Sequence, residues 1–490
     1  MRRLVTAVST WVTTKDDMHG TIDSLVCIML EGVFEINSGN LRRAWAVYRR
    51  AMTAAQLMGL HRASIPPLKR IDPELDADPG FMWFRIVYMD RYLSLLLGLP
   101  QGTTDTSMGA TSVVQHEPPL GQFERRLTVL VSAILQRNGN AFTASAITTT
   151  QSIDAELLTL SRSMPVTFWR PANFHTLTPG SPEALLETVR LAAQVYYYGL
   201  LIQLHLPYMM HGISHGPEHD YAKMTCVNAS REIMARFIAH RTFNPMSSCS
   251  RPVDFFALLA AMTLLLAHLD AHHHRQITNV LAHQRLSDRA MLDQALGLMH
   301  VMSSTNGDVI ARKSAELIQR LLEIEADAAD GSSYTTRSVA GHDDSDVPVE
   351  GMVKKDDELY LQVPYFGVIK ISREHPVSCE APENPTLRPA QTGQGEEQQP
   401  LNHVRGTSVS SPGPGRHVPA WVQAHGYDEQ SRAQYACPGQ GDIALQSGEA
   451  LGGADITAGD EDWTFQGVDM AFFDTLMRGM SGVDAAGLEE

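Results

Sequence analysis

The stretch Met82–Gly102, MWFRIVYMDRYLSLLLGLPQG, limits what this chain can fold into more than any other. It is apolar on nearly every side, and a helix that is apolar all round belongs inside a protein core. Asp78-Pro79 opens it, with proline at a helical position where its missing N–H costs nothing, and Gly98 and Pro100 close it. Asp90 and Arg91 interrupt the apolar surface at its centre. A buried charge without a partner costs several kcal/mol, so each must meet a polar neighbour. Adjacent helical residues point about 100° apart, so the two require different neighbours. A preceding helix carrying Leu41, Ala44, Trp45, Tyr48, Met52 and Ala55 stops at Gly59, and His61 and Arg62 lie just beyond it. We expect Asp90 to pair there, fixing the crossing of the two helices; the alternative is that both charges reach water at the edge of a bundle.

Helical periodicity continues to about residue 325. It predicts helices over 182–206, ended by Pro207, and over 219–241, 252–275, 286–302 and 309–328, with shorter ones near 127–138 and 150–162. Residues 331–336 are loop-like, and an acidic run follows at Asp343, Asp344 and Asp346. ELYLQVPYFGVIKIS, 358–372, alternates around Pro364 and Gly367 and predicts a small hairpin. From His375 to Asp460 Pro, Gly, Gln and Ser dominate, a composition that buries too little apolar surface to offset chain entropy. The expected class is all-α. A helical bundle fills 1–330 and a hairpin segment 331–374. A disordered linker, 375–460, leads to an acidic-aromatic tail, 461–490.

In that tail Asp460, Glu461, Asp462, Asp469 and Asp474 are interspersed with Trp463, Phe465, Phe472 and Phe473. Val468, Phe472, Leu476 and Met480 recur every four residues, one stripe of a helix. This is the composition of an amphipathic activation segment that enters a partner's groove as a helix; the alternative is packing onto its own bundle.

Charge and cysteine content exclude several functions. Lys plus Arg is 39 against 55 Asp plus Glu, so 39 − 55 = −16, and the bulk field repels nucleic acid. Five cysteines, Cys27, Cys226, Cys249, Cys379 and Cys437, form no Cys-x-x-Cys pair, which argues against a disulfide framework and a local zinc site. No apolar run of about 20 residues is evident, so no membrane span is expected. Gly212-Ile213-Ser214-His215-Gly216 matches the nucleophile elbow of serine hydrolases literally, but that motif needs a strand before and a helix directly after. Here a helix precedes it and Pro217 follows. His268 and His272 share a helix face, yet no acidic ligand completes a zinc motif. Arg42, Arg43, Arg49 and Arg50 could grip phosphates, although pairing with acids is the more usual fate of such a face. No phosphate loop or dinucleotide fingerprint is present.

SGNLRRAWAVYRRAMTAAQLMGLHR, an acidic loop and MWFRIVYMDRYLSLLLGLPQG together resemble the regulatory region of fungal binuclear zinc-cluster transcription factors. The features carrying the resemblance are Gly59-Leu60-His61-Arg62, Trp83, Asp90-Arg91 and Leu97-Gly98-Leu99-Pro100, with Tyr196-Tyr197-Tyr198 and Leu204-His205-Leu206-Pro207-Tyr208 further on. Phe84 departs from the pattern, where a second tryptophan is common. The resemblance covers about residues 20–330. It implies a helical regulatory domain, nuclear location and control of RNA polymerase II transcription through coactivators, with a dimer partner. It also implies an N-terminal six-cysteine cluster that holds zinc and touches DNA. Cys27 is the only cysteine before residue 226, so zinc and DNA contact transfer to no residue here. Either the gene model is truncated at its 5′ end, the favoured expectation, or this is a regulator that lost its DNA-binding part; an in-frame six-cysteine segment upstream of Met1 in the transcript would establish the first. The other readings are a DNA-free interaction protein and a serine hydrolase using Ser214.

Overall fold

A computed structural model describes residues 2–75, 77–138, 144–210, 217–246, 250–273, 281–339, 358–363 and 367–373. Its helices are α1 (Arg2–Val8), α2 (Ile22–Asn37), α3 (Leu41–Met58), α4 (Pro79–Leu97), α5 (Thr111–Val114) and α6 (Pro119–Asn138). They continue with α7 (Ala144–Ser163), α8 (Pro182–Met210), α9 (Pro217–Phe243), α10 (Arg251–His273), α11 (Arg285–Asn306) and α12 (Val309–Ala329). A π-helical turn, Ser9–Thr13, extends α1. The Ser214 motif, the linker and the aromatic tail lie outside the described residues.

Local chemistry sets the boundaries. Asp78 caps α4 by accepting from the Gly80 amide at 2.9 Å, with Pro79 in the first turn. Asp308 caps α12 by accepting from the amides of Ile310 and Ala311. Gly98 ends α4 at φ +68, a left-handed conformation in which a side chain would be strained.

Two apolar cores result. One, between α2, α3 and α4, is built on Ile22, Leu25, Val47, Trp83 and Phe84. The larger spans α4, α6, α8, α9, α10 and α12 and includes Tyr92, Leu127, Leu200, Phe237, Phe256 and Leu321. α10 runs through it almost wholly buried. By length and apolar composition alone, Arg251–His272 is long enough to cross a membrane, a run the sequence reading passed over. Its burial against α8, α9 and α12 makes it the core helix of the bundle.

Two expectations need correction. Pro207 does not end its helix: α8 continues to Met210. A proline inside a helix removes the bond to the carbonyl four residues back, here Gln203. The buried Arg137 of α6 replaces it, donating from Nη2 to the carbonyls of Gln203 at 3.3 Å and Leu204 at 2.9 Å. The hairpin is also larger than expected. β2 (Glu358–Val363) and β3 (Gly367–Arg373) pair antiparallel, and the stretch expected to be loop contributes β1 (Tyr334–Val339) to the other edge of β3. Tyr334 pairs with Arg373 and Val339 with Val368, a register set by residues more than 25 positions away.

Candidate functional site

Asp90 and Arg91 of α4 are fully buried, and both hold the loop that follows the helix. Asp90 Oδ1 forms an ion pair with Arg49 Nε of α3 at 2.8 Å, and Oδ2 accepts from the Gly102 amide at 2.7 Å. Arg49 lies over the Trp45 ring, 4.5 Å from its centroid, and donates to the Pro100 carbonyl. Trp45 Nε1 donates to Ser94 Oγ at 3.1 Å, which donates in turn to Pro100 at 3.0 Å. A Cβ at Gly102 would stand 2.5 Å from Arg49 Nη1 and 2.6 Å from Met52 Sδ, so a larger residue there displaces the ends of these two side chains.

Arg91 reaches the other way. Its Nη2 donates to the carbonyls of Asp105 at 2.5 Å and Thr103 at 3.2 Å, and its Nη1 to the Thr128 carbonyl of α6 at 2.9 Å. Asp105 folds back over its own turn, accepting from the Ser107 amide at 2.8 Å and from Trp83 Nε1 at 2.9 Å. Adjacent positions on one helix thus fasten successive parts of the 98–107 loop, Asp90 toward α3 and Arg91 toward α6.

Burial shifts the charges. It raises the Asp90 carboxyl above its ordinary value, opposed by the Gly102 amide and then by Arg49 and Arg91. It lowers the Arg91 guanidinium to about 10, opposed by Asp90, Asp105 and Tyr196. Burial also acts to raise Asp105, but the Ser107 and Trp83 hydrogen bonds and the Arg91 charge outweigh it, and its carboxyl lies below the usual range.

His61 and Arg62 are not the partners of Asp90. The His61 ring lies 6.2 Å from Trp83, and the exposed Arg62 donates its backbone N–H to Gly59. The charge comes from Arg49, one of the arginines that could have gripped phosphates. Arg43 and Arg50 of that face pair with Glu35 at 3.0 Å and Glu31 at 3.5 Å on α2. Sequence reasoning also missed Trp45, Ser94, Gly102 and Asp105 as members of the node. The Asp105-Thr106-Ser107 turn was the one local signal.

A second charged cluster joins α9, α10 and α12. Arg241 donates from Nε and Nη2 to the two Asp254 oxygens, each at 2.7 Å, and Arg251 Nη1 reaches Asp308 at 2.5 Å and Asp254 at 3.5 Å. The histidines of α10 are drawn to separate carboxylates. His268 Nε2 lies 2.9 Å from Asp288, which Arg231 grips at two points. His272 Nε2 lies 2.9 Å from Glu325, which Arg285 grips. Among the described residues no group of His, Cys, Asp or Glu could hold a metal ion. In chemical terms all three arrangements join helices to helices or to loops.

By fold this is an all-α protein built around charged internal fasteners, with one small sheet. No family model and no solved structure matches the chain. Curated relatives do. The chain is 37% identical, over 98% of its length and 68% of the relative's, to the dehydrocurvularin biosynthesis regulator of Alternaria cinerariae. It is 36% identical to the regulator of the same name from Aspergillus terreus, over 98% and 68%. With gsfR1, a probable transcription factor of Penicillium aethiopicum, it shares 35% identity over 98% of its own length and 69% of the relative's. The chain belongs to this family of fungal transcription regulators.

Proposed function

We propose that residues 1–330 are the regulatory domain of a zinc-cluster type transcription factor, acting in the nucleus on RNA polymerase II promoters of a biosynthetic gene set. The observation that carries this reading is the 37% and 36% identity, over 98% of this chain, to two biosynthesis regulators. The charged node on α4 supports it, because Asp90, Arg91 and Trp83 are the residues on which the family resemblance rests. In this reading they position the 98–107 loop between α3 and α6, and His61 and Arg62 shape the entry to the preceding turn.

Zinc and DNA belong to a six-cysteine segment that this chain's cysteines do not supply. Cys27 and Cys226 stand apart in sequence, and burial holds the Cys226 thiol well above its ordinary range, the opposite of what a metal-ligating thiolate needs. Residues 461–490 recruit coactivators through Trp463, Phe465, Phe472, Phe473 and Leu476. We assign no catalysis to Ser214; fluorophosphonate labelling that disappears in Ser214→Ala would reverse that assignment.

Transcript profiling of a strain in which the gene is deleted tests the reading. The expected result is loss of expression of a contiguous set of biosynthetic genes, restored by the wild-type gene. An unchanged transcriptome under conditions where the protein is present would overturn it.

A further inference from the structure

The loop between α7 and α8 is tied down in its middle and exposed at its tip. The buried Phe174 stacks on Phe243 of α9 with ring centroids 4.6 Å apart, and Glu187 of α8 accepts from the Asn173 amide at 3.0 Å. Thr178-Pro179-Gly180-Ser181 then turns the chain into α8. The Ser181 amide donates to the Thr178 carbonyl at 3.1 Å, and Gly180 takes φ +84. Proline followed by a left-handed glycine is what the two central positions of a type II turn require. Thr178, Pro179 and Gly180 are exposed, and a Cβ on Gly180 would meet nothing within 4 Å.

Two hydroxyls of this turn precede a proline, Thr178 before Pro179 and Ser181 before Pro182. Among the described residues Ser or Thr precedes Pro nowhere else. A kinase that reads proline directly after its phosphoacceptor recognises a fixed ring and a missing N–H. The fold treats the two motifs differently. Ser181 is half-buried, its Oγ accepts from the Ala184 amide at 3.2 Å, and Pro182 is the first residue of α8. Modifying Ser181 therefore breaks a helix cap and withdraws Pro182 from the helix. Thr178 stands before the turn, outside the helix. The residue before a proline favours extended backbone, the form in which a kinase takes up its substrate. The bond from Ser181 to Thr178 opens to present that segment, and the cap stays in place.

We propose that Thr178 is the phosphoacceptor of a proline-directed serine/threonine kinase and that the fold protects Ser181. Thr178 Oγ1 attacks the γ-phosphorus of ATP, and the bond from that phosphorus to the β–γ bridging oxygen breaks. ADP leaves, and the hydroxyl proton passes to a carboxylate of the kinase. The product adds a charge of about −1.5 to −2 at pH 7. It stands beside the start of α8, a helix of the larger core. The inference does not depend on the transcriptional reading.

The full chain, incubated with ATP and a purified cyclin-dependent kinase and mapped by peptide mass spectrometry, tests it. A synthetic peptide of residues 172–184, in which no helix protects Ser181, is treated alongside. The peptide is expected to take phosphate at both hydroxyls. The full chain takes it at Thr178, with Ser181 modified about tenfold more slowly because its hydroxyl must first leave the cap. Thr178→Ala removes phosphate from Thr178's position, Pro179→Ala does so although the hydroxyl remains, and Ser181→Ala leaves Thr178 modified. All three variants keep the circular dichroism of the bundle. A full chain unmodified at Thr178 while the peptide is modified would overturn the proposal. So would equal modification of Thr178 and Ser181 in the full chain, or modification of Thr178 that survives Pro179→Ala. A peptide that the kinase leaves unmodified would overturn it as well, because the motif would then not be read.

Discussion

Asp90→Ala tests the α4 node most sharply. The wild-type carboxylate is fully buried and meets Arg49 at 2.8 Å and the Gly102 amide at 2.7 Å. Breaking a buried ion pair by removing one partner costs about 3–5 kcal/mol. The Arg49 side chain is 26% exposed and keeps its stack on Trp45 and its bond to Pro100, which places the charge term toward the low end. The Gly102 amide, left without its acceptor, adds a penalty of order 1 kcal/mol. A loss of about 4 kcal/mol is therefore expected. With an unfolding entropy of about 2.1 cal/mol/K per residue over roughly 330 residues, the thermal midpoint falls by about 6 °C. Urea unfolding followed by helical circular dichroism measures the free energy and thermal scans the midpoint. Arg49→Ala leaves the carboxylate unpaired instead. Because Asp90 has a raised carboxyl in the fold, the folded state binds the proton more readily than the unfolded one. Stability of that variant should therefore rise as pH falls toward the ordinary aspartate range. Arg49→Ala/Asp90→Ala should cost less than the sum of its parents. An unchanged midpoint in Asp90→Ala, or strict additivity in the double variant, would refute the reasoning.

Two further outcomes follow from other fasteners. Glu325 is buried; burial alone would raise its carboxyl, but hydrogen bonds and charge from His272 and Arg285 hold it at about 2. A carboxyl depressed in the fold stabilises above its unfolded value of 4.5 and loses that contribution as pH falls toward 2. Acid titrations should show Glu325→Gln less stable at neutral pH and with a flatter stability profile between those limits; an unchanged profile contradicts the pairing. Arg137→Ala leaves the Gln203 carbonyl, which Pro207 cannot serve, without its donor and should cost about 1–3 kcal/mol by urea unfolding. In a Pro207→Ala background, where the helix recovers its own N–H, the same change should cost measurably less; equal costs would separate Arg137 from the proline.

Most of the helical fold is legible because its signals are local. Asp78-Pro79 and Gly98 bracket α4 within a residue of the observed ends, and the apolar period of 309–328 coincides with α12. What the chain hides depends on distant residues. At Pro207 the carbonyl of Gln203, which loses its helical partner, is served by Arg137, 70 positions earlier. β1 reads as loop because YTTRSV has weak apolar alternation, and its strand character comes from β3. The burial of Asp90 and Arg91 and their need for different neighbours follow from the sequence, but the identity of those neighbours does not. Arg49 is reached through the packing of α3 against α4, and Gly102 through a loop that returns along the helix it has just left.

The central claim is that this chain regulates transcription, and tethering tests it most directly. The full chain is fused to an unrelated DNA-binding domain in a fungal host carrying a reporter with the matching sites. The account predicts activation that is abolished by Phe472→Ala/Leu476→Ala while the protein level and the helical circular dichroism are unchanged. A fusion that is present in the nucleus and silent, or one whose activity ignores the tail variant, would contradict it.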